Sequence, residues 1–155
     1  MIRMDICVKA RNDEEATRAL QLNYNCVVYS RPLNNILTFI PDQYISDINI
    51  NNERTVVITD SLELINTLKS RNLKIAYRVN KPYMNILIYD YFVLEFIPKN
   101  IRDLRFYKGK VYIDNIDNLD IYSKLENLKI SGVFTNNLDF IVNLKKLGLY
   151  KNRII

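Results

Sequence analysis

The sequence predicts an α/β protein, and two observations carry that prediction. Short β-branched runs alternate with segments whose apolar residues recur at helical spacing along the 155-residue chain. Neither strands alone nor helices alone fill any long stretch, and such alternation is typical of a parallel sheet, open or closed. A chain of this length is expected to form a single domain over residues 1–155.

The first strand–helix–strand unit is predicted over Met1–Arg31. Apolar residues alternate through Met1–Val8, which is the pattern of a strand with at least one buried face. Asn12 can cap the free N–H groups of a following helix, whose first turn is acidic. Cys26–Tyr29 is the next apolar run. A helix between two strands favours a parallel pair with a right-handed crossover.

The segment 32–54 is rich in Asn, Asp and Pro and leaves two interpretations open. Ile36–Ile40 could be a short strand that Pro41 ends, and Ile45, Ile48 and Ile50 indicate another buried patch. Either a crossover connection or a lid fits this composition.

A second unit begins at the β-branched strand Thr55–Thr59. Asp60 with Glu63 three residues on resembles a capping box, so a helix is expected to begin there. Its apolar stripe leads to a further strand at Leu73–Val79.

The rest of the chain repeats the pattern. One or both of the apolar runs 86–89 and 91–97 are expected to be strands, and Gly148 is expected to end the last helix. Predicted caps of the last two helices are Asp117 or Asn118, and Asn136 or Asn137. We therefore predict a compact or incomplete TIM-like barrel. Its parallel staves are Met1–Val8, Cys26–Tyr29, Thr55–Thr59, Leu73–Val79, Val111–Ile113 and Val133–Thr135.

Composition excludes most enzyme motifs. The chain has no histidine, which removes imidazole bases and triads and the commonest zinc ligand. Its three glycines cannot build a phosphate-cradling loop or a dinucleotide fingerprint. No apolar run reaches the roughly 20 residues of a membrane span, and no secretory signal is visible, so a cytoplasmic location is expected.

The two cysteines, Cys7 and Cys26, fall in the two strands of the opening unit. In an intracellular protein they are predicted to be buried thiols acting as small apolar residues, with a disulfide as the alternative if the strands pair.

Basic residues recur every third position from Lys99 onward, with aromatic residues between them. Such a segment offers charges to phosphates and rings to bases, although a solvated surface face would look the same. The predicted RNA-binding residues are Lys99, Arg102, Arg105, Lys108, Lys110, Phe106 and Tyr107. A secondary basic patch is predicted at Arg71, Lys74, Arg78 and Lys81.

Four carboxylates lie in or at the ends of predicted strands and could supply ligands to a metal site: Asp5, Asp60, Glu95 and Asp114. Asp60 is explained as a helix cap and Asp114 as a turn residue, so neither a catalytic nor a metal site is predicted.

Both ends of the chain are similar to one known family. Met4–Val8, Glu14–Leu22 and Tyr24–Val28 resemble the start of the barrel-type protein subunit, of about the thirty-kilodalton class, of archaeal and eukaryotic ribonuclease P. Lys129–Asn136 and Leu138–Leu149 resemble the closing strand and helix of that family, including its terminal Leu-Gly-Leu.

This resemblance implies a noncatalytic, RNA-binding subunit of an endoribonuclease. In that family the RNA with its magnesium ions removes the 5′ leader of precursor tRNA, while the protein supports the RNA beside a small RRM-like protein subunit. The resemblance thus implies ribonuclease P RNA and that small subunit as partners, no membrane partner, no cofactor bound by the protein and no catalysis by the isolated chain. An archaeal source would suit the many Ile, Tyr, Lys and Asn residues.

Two other interpretations compete. Leu125–Ile130 and Leu144–Leu149, nineteen positions apart, resemble leucine-rich repeats, which would make the chain a protein-interaction solenoid. Ser131–Asn136 resembles part of a phosphodiesterase barrel, but that chemistry needs histidines.

Overall fold

A computed structural model describes residues 4–45 and 54–149. These residues form a closed barrel of eight parallel strands, in which every strand pairs with its neighbours in the sequence and β1 also pairs with β8. The strands are β1 Asp5–Lys9, β2 Cys26–Val28, β3 Leu37–Pro41, β4 Thr55–Thr59, β5 Lys74–Val79, β6 Leu87–Leu94, β7 Tyr107–Ile113 and β8 Gly132–Thr135. The α-helices are α1 Asp13–Gln21, α2 Leu62–Ser70, α3 Leu119–Leu125 and α4 Phe140–Lys146.

The predicted TIM-like α/β barrel is confirmed, and it is compact rather than incomplete. Helices α1, α2 and α3 follow β1, β4 and β7, and α4 follows β8. The connections after β5 and β6 hold no α-helix, and a 3₁₀ helix at Ile101–Phe106 leads into β7. Omitting helices lets eight strands close within a short chain. No helix in the two described ranges is long and apolar enough to cross a membrane.

Two staves lie beyond the six that the sequence predicted. β3 lies in the segment with two open interpretations and ends at Pro41. β6 joins both apolar runs into one strand, with an irregular register between Ile88 and Tyr91. The second half of the barrel holds staves rather than the solenoid of leucine-rich repeats. The predicted patch at Ile48 and Ile50 lies outside the described residues, as do residues 151–155.

Helix starts follow the sequence at two helices. The Asn12 side chain accepts a hydrogen bond from the Glu15 backbone N–H at 2.9 Å and caps α1. Asn118 caps α3 by accepting from the N–H groups of Asp120 and Ile121. Both predicted caps are therefore confirmed.

The other two helices begin differently from the prediction. Ser61, not Asp60, caps α2 by accepting from the Leu64 N–H at 3.2 Å. At α4 the N-cap residue is Asp139, which makes no side-chain cap bond, and Asn137 accepts from the Asp139 N–H one step earlier. The Asp60 carboxylate lies instead 3.6 Å from the Arg78 guanidinium.

The barrel interior is filled mainly by aromatic and branched side chains. Phe39 is fully buried, and its ring centroid lies 5.4 Å from that of Tyr91, 5.1 Å from that of Tyr112 and 5.0 Å from that of Phe134, all in edge-on arrangements. Such edge-to-face packing is the preferred geometry of aromatic pairs. A second cluster outside the strands joins them to the helices.

Cys7 and Cys26 form a disulfide inside the barrel, so the prediction of two free thiols is wrong. The two residues are direct partners in the parallel β1–β2 register, with Cα atoms 4.4 Å apart and both side chains fully buried. Facing positions on neighbouring strands meet the distance that a disulfide requires.

Candidate nucleic-acid interface

A parallel barrel has two different ends. All eight strands begin at one end, here called the amino rim, and finish at the other, called the carboxyl rim. Each helix runs back against the strands, so the helices begin near the carboxyl rim and end near the amino rim. Every site residue can therefore be assigned to a rim by its position in its strand.

Three exposed lysines meet at the amino rim: Lys74, Lys108 and Lys110, here called the lysine trio. Lys74 begins β5, Lys108 is the second residue of β7, and Lys110 is the middle residue of β7. Strand β6 lies between them, with Ile88 opposite Lys108 and Tyr91 opposite Lys110. Tyr91 is also opposite Ala76, two residues after Lys74. The register thus brings Lys108 and Lys110, two of the predicted RNA-binding residues, close to Lys74 of the predicted secondary patch.

The lysine trio is not held in ion pairs. None of the three forms an ion pair with any residue in the described part of the chain. The Lys110 ammonium lies 5.8 Å from the ring centroid of Tyr91, a cation–π distance. Burial raises the pKa of Tyr91, so this ring stays neutral at physiological pH.

The nearby carboxylates are engaged elsewhere. Asp90 accepts a hydrogen bond from the Ile75 N–H at 3.1 Å. Asp5 accepts one from the Tyr112 hydroxyl at 2.9 Å. These hydrogen bonds hold both acids against the barrel but leave their negative charge in place. The lysine trio keeps its ammonium N–H groups available to an external anion.

The basic segment before β7 lies in a 3₁₀ helix, Ile101–Phe106, and not in an α-helix. A 3₁₀ helix has three residues per turn, so Arg102 and Arg105 share one exposed face. Arg105 covers the Phe106 ring, with its guanidinium carbon 4.7 Å from the ring centroid. Lys99 is exposed and precedes this helix.

The sequence predicts that the Tyr107 ring is free to stack on a base. In the structure this ring is packed against the barrel. It is buried, and its ring packs 5.3 Å from that of Phe92. Its hydroxyl accepts a hydrogen bond from the Tyr83 backbone N–H at 3.3 Å. Among the predicted aromatic contacts, only the partly buried Phe106 keeps exposed ring surface.

The predicted secondary patch is divided between the two rims. Arg71 and Lys74 lie at the amino rim, where β5 begins, whereas Arg78 and Lys81 lie where it ends. The Arg78 Nη2 atom is 3.6 Å from an Asp60 oxygen and 3.9 Å from an Asp42 oxygen. Four cations that are close in the sequence are thus separated by the length of a strand.

Each rim carries charges of both signs, but cations are in excess at the amino rim and acids are in excess at the carboxyl rim. Cations at or near the amino rim are Arg54, Lys69, Arg71, Lys74, Arg105, Lys108, Lys110, Lys129, Lys145 and Lys146. Acids at or near the carboxyl rim are Asp13, Glu14, Glu15, Asp42, Asp60, Glu63, Glu95, Asp114, Asp117, Asp120 and Asp139. Part of this pattern complements the helix dipoles, since helices begin at the carboxyl rim. An excess of cations of this kind favours the amino rim over the carboxyl rim as the place for an anion.

The carboxyl rim surrounds a cavity of about 170 Å³. Its walls include Lys9, Arg78, Glu95 and Asp114, over an apolar floor. Lys9 forms a 2.7 Å ion pair with Asp114 and donates to the Asn115 side chain at 3.2 Å. Sequence reasoning missed Lys9, although its place at the end of the first strand is the signal that could have found it.

Beside this cavity Asp117 holds the loop after β8. Its carboxylate accepts hydrogen bonds from the Thr135 hydroxyl at 2.8 Å, the Asn136 N–H at 2.7 Å and the Asn136 amide at 3.0 Å. Burial raises the pKa of Asp117, but these hydrogen bonds outweigh it and lower the pKa below its usual value.

The four carboxylates at the predicted strand ends do not form one cluster. Asp60, Glu95 and Asp114 lie at the carboxyl rim, whereas Asp5 lies at the amino rim. Within residues 4–45 and 54–149 no group of three or more Cys, Asp or Glu side chains is placed to hold a metal ion.

Comparison with protein-family models finds no match to this chain, and a search of curated proteins finds none either. The functional argument therefore depends on the fold, the charge distribution and the residues at the two rims.

Proposed function

We propose that this chain is an RNA-binding protein subunit of ribonuclease P that supports RNA-catalysed 5′ maturation of precursor tRNA. The observation that carries the proposal is the lysine trio, three exposed lysines that form no ion pair with a described residue and lie together at the amino rim. Protein affinity for RNA comes largely from such contacts with phosphates.

The arrangement of the barrel supports the family part of the proposal. The segments that resemble the ribonuclease P subunit lie at opposite ends of the sequence. In the barrel β1 pairs with both β2 and β8, with Cys7 opposite Cys26 on one side and Phe134 on the other. The two segments are thus neighbours in one continuous part of the sheet.

The lysine trio can serve one structured RNA. Neighbouring strands are about 4.8 Å apart, so β5 and β7 are separated by about 10 Å. Lys74 and Lys108 then reach different phosphates of the same molecule. Arg102 and Arg105 extend the cationic surface along the outside of the barrel.

We assign the partner contact to the uncovered side of the barrel. Met84 and Ile86 are 77% and 61% exposed in the connection after β5, which has no α-helix, and Ile88 near the start of β6 is 72% exposed. Exposed apolar surface of this kind marks protein interaction sites. The small RRM-like subunit would bind there, and the magnesium ions would belong to the RNA.

The proposal is tested by measuring ribonuclease P RNA binding at several salt concentrations. In the variant Lys74→Ala, Lys108→Ala and Lys110→Ala, each lost phosphate contact lowers the slope of log affinity against log salt by about 0.9 on duplex and about 0.7 on single strands. The expected total is about 2 to 3. Arg102→Ala with Arg105→Ala tests the 3₁₀ helix separately.

A matched control removes the same number of positive charges from the carboxyl rim. Arg11→Ala, Arg31→Ala and Lys81→Ala together change the net charge equally but should leave the slope nearly unchanged. Equal slopes for the trio variant and the native protein would remove the amino rim as the contact surface. No RNA binding by the native protein, alone or with the small subunit, would overturn the proposed function.

A further inference from the structure

Arg78 carries hydrogen-bonding capacity that the protein does not use. Its Nη2 lies 3.6 and 3.9 Å from two carboxylates, too far for good hydrogen bonds, and its guanidinium forms none with the residues that the structure describes. The side chain is only 32% exposed and lines the carboxyl-rim cavity. A partly buried guanidinium with free N–H groups is a preformed fork for a carboxylate or a phosphate.

Glu95 offers the opposite charge on the next strand. It follows β6 directly, and its backbone N–H donates to the Val79 carbonyl at 2.9 Å. Its carboxylate has no hydrogen-bond or ion-pair partner among the described residues, and it lines the same cavity. Arg78 is opposite Val93, two residues before Glu95, so Arg78 and Glu95 are diagonal neighbours at the carboxyl rim. They form no ion pair with each other, so a ligand can lie between them.

The size of the cavity and its floor restrict the ligand. A volume of about 170 Å³ holds about six water molecules at roughly 30 Å³ each. Val28, Ile58, Val93 and Phe134 make the floor apolar. The space suits a molecule with a short apolar group and two charged groups.

The net negative charge around Arg78 disfavours a ligand that is only an anion. Lys9 is already neutralised by Asp114, while Asp42, Asp60 and Glu95 surround the single charge of Arg78. An anion alone would be repelled by these carboxylates, and a cation alone would leave the guanidinium fork empty. A zwitterion satisfies Arg78 with its carboxylate and Glu95 with its ammonium group.

We propose that the carboxyl-rim cavity binds a small zwitterion of the α-amino-acid class, with its carboxylate on Arg78 and its ammonium group on Glu95. This site lies at the opposite end of the barrel from the lysine trio. It is therefore independent of RNA binding, and either proposal can fail without the other.

The test is a titration of the full chain with small molecules, in which NMR signals of isotope-labelled Val and Ile methyl groups report binding. The probes are L-alanine, L-serine and L-leucine, with propionate and ethylammonium as single-charge comparators. At least one amino acid should saturably shift the Val28, Ile58 and Val93 signals, and its affinity should exceed that of both comparators by about tenfold or more.

Variants then test the two contacts. Arg78→Gln and Glu95→Gln should each weaken binding about tenfold, while Arg78→Lys, which keeps the charge but loses the fork, should weaken it less. Arg31→Gln is the matched control and should bind normally.

Three results would overturn the proposal. The first is that no amino acid shifts the floor methyl signals at millimolar concentration. The second is that propionate or ethylammonium binds as well as the amino acids. The third is that Arg78→Gln, with an unchanged thermal midpoint, binds like the native protein.

Discussion

Replacing Phe39 by alanine empties the centre of the barrel interior. A buried Phe→Ala change costs about 3–5 kcal/mol, because apolar burial is lost and a cavity remains. Phe39 is fully buried and makes edge-on contacts with Tyr91, Tyr112 and Phe134. Since each aromatic pair adds about 0.5–1.5 kcal/mol beyond burial, we expect the upper part of that range, about 4–5 kcal/mol. Phe39→Leu keeps most of the burial and should lose about 2 kcal/mol.

Urea unfolding followed by far-UV circular dichroism measures these losses. In a domain of this size, 1 kcal/mol shifts the thermal midpoint by about 2–4 °C, so Phe39→Ala should lower it by about 8–20 °C. Leu62→Ala is the control, because Leu62 is 64% exposed and its loss should change stability by less than about 0.5 kcal/mol. A loss below about 1 kcal/mol in Phe39→Ala would mean that β3 is not a stave packed around this ring.

Three further predictions concern the β1–β8 strand pair, the disulfide and the pH dependence of stability. In Gly132→Ala the new Cβ would lie 2.6 Å from the Tyr112 ring and 2.7 Å from the Asp5 carbonyl oxygen, so urea unfolding should show a loss of about 1–3 kcal/mol. The unfolded, unreduced chain should show no reactive thiol, and reduction of Cys7–Cys26 should cost about 3 kcal/mol, measured by unfolding with and without reductant. Because the folded pKa of Asp117 is lowered, its stabilising effect is present above the unfolded pKa of about 3.9 and is lost as pH falls through the folded pKa. Acid unfolding of Asp117→Asn should therefore show a weaker dependence on pH in that window, and an unchanged dependence would contradict the lowered pKa.

The sequence predicted best those elements whose signal is local. Thr55–Thr59 is β-branched throughout and forms β4 with the predicted bounds. All five residues are buried, and a strand buried on both faces shows a continuous run of such residues instead of alternation with polar ones. Asn12 caps α1 by a bond within one turn. β6 was harder, because Asp90 interrupts its apolar run and its register is irregular there. The Asp90 carboxylate bonds to the neighbouring strand, which no local pattern reveals.

The candidate site depends on pairing between distant parts of the chain. The basic run through Lys108 and Lys110 was visible, but its three-residue spacing fits a helix and not the strand that contains both residues. Their grouping with Lys74 follows only from the β5–β6–β7 register. The disulfide likewise depends on Cys7 and Cys26 occupying directly opposite positions, which one residue of slippage would prevent.

The β1–β8 pairing also governs how the barrel can assemble. Every other strand pair joins consecutive strands, whereas this one brings Asp5 opposite Gly132 from the far end of the described chain. Closing so long a loop is slow, so this pair is expected to form late. Until it forms, β1 and β8 each present an unpaired edge that can recruit a second chain. A substitution that delays closure, such as Gly132→Ala, should therefore increase aggregation during refolding in proportion to protein concentration, even under conditions in which the closed barrel is stable.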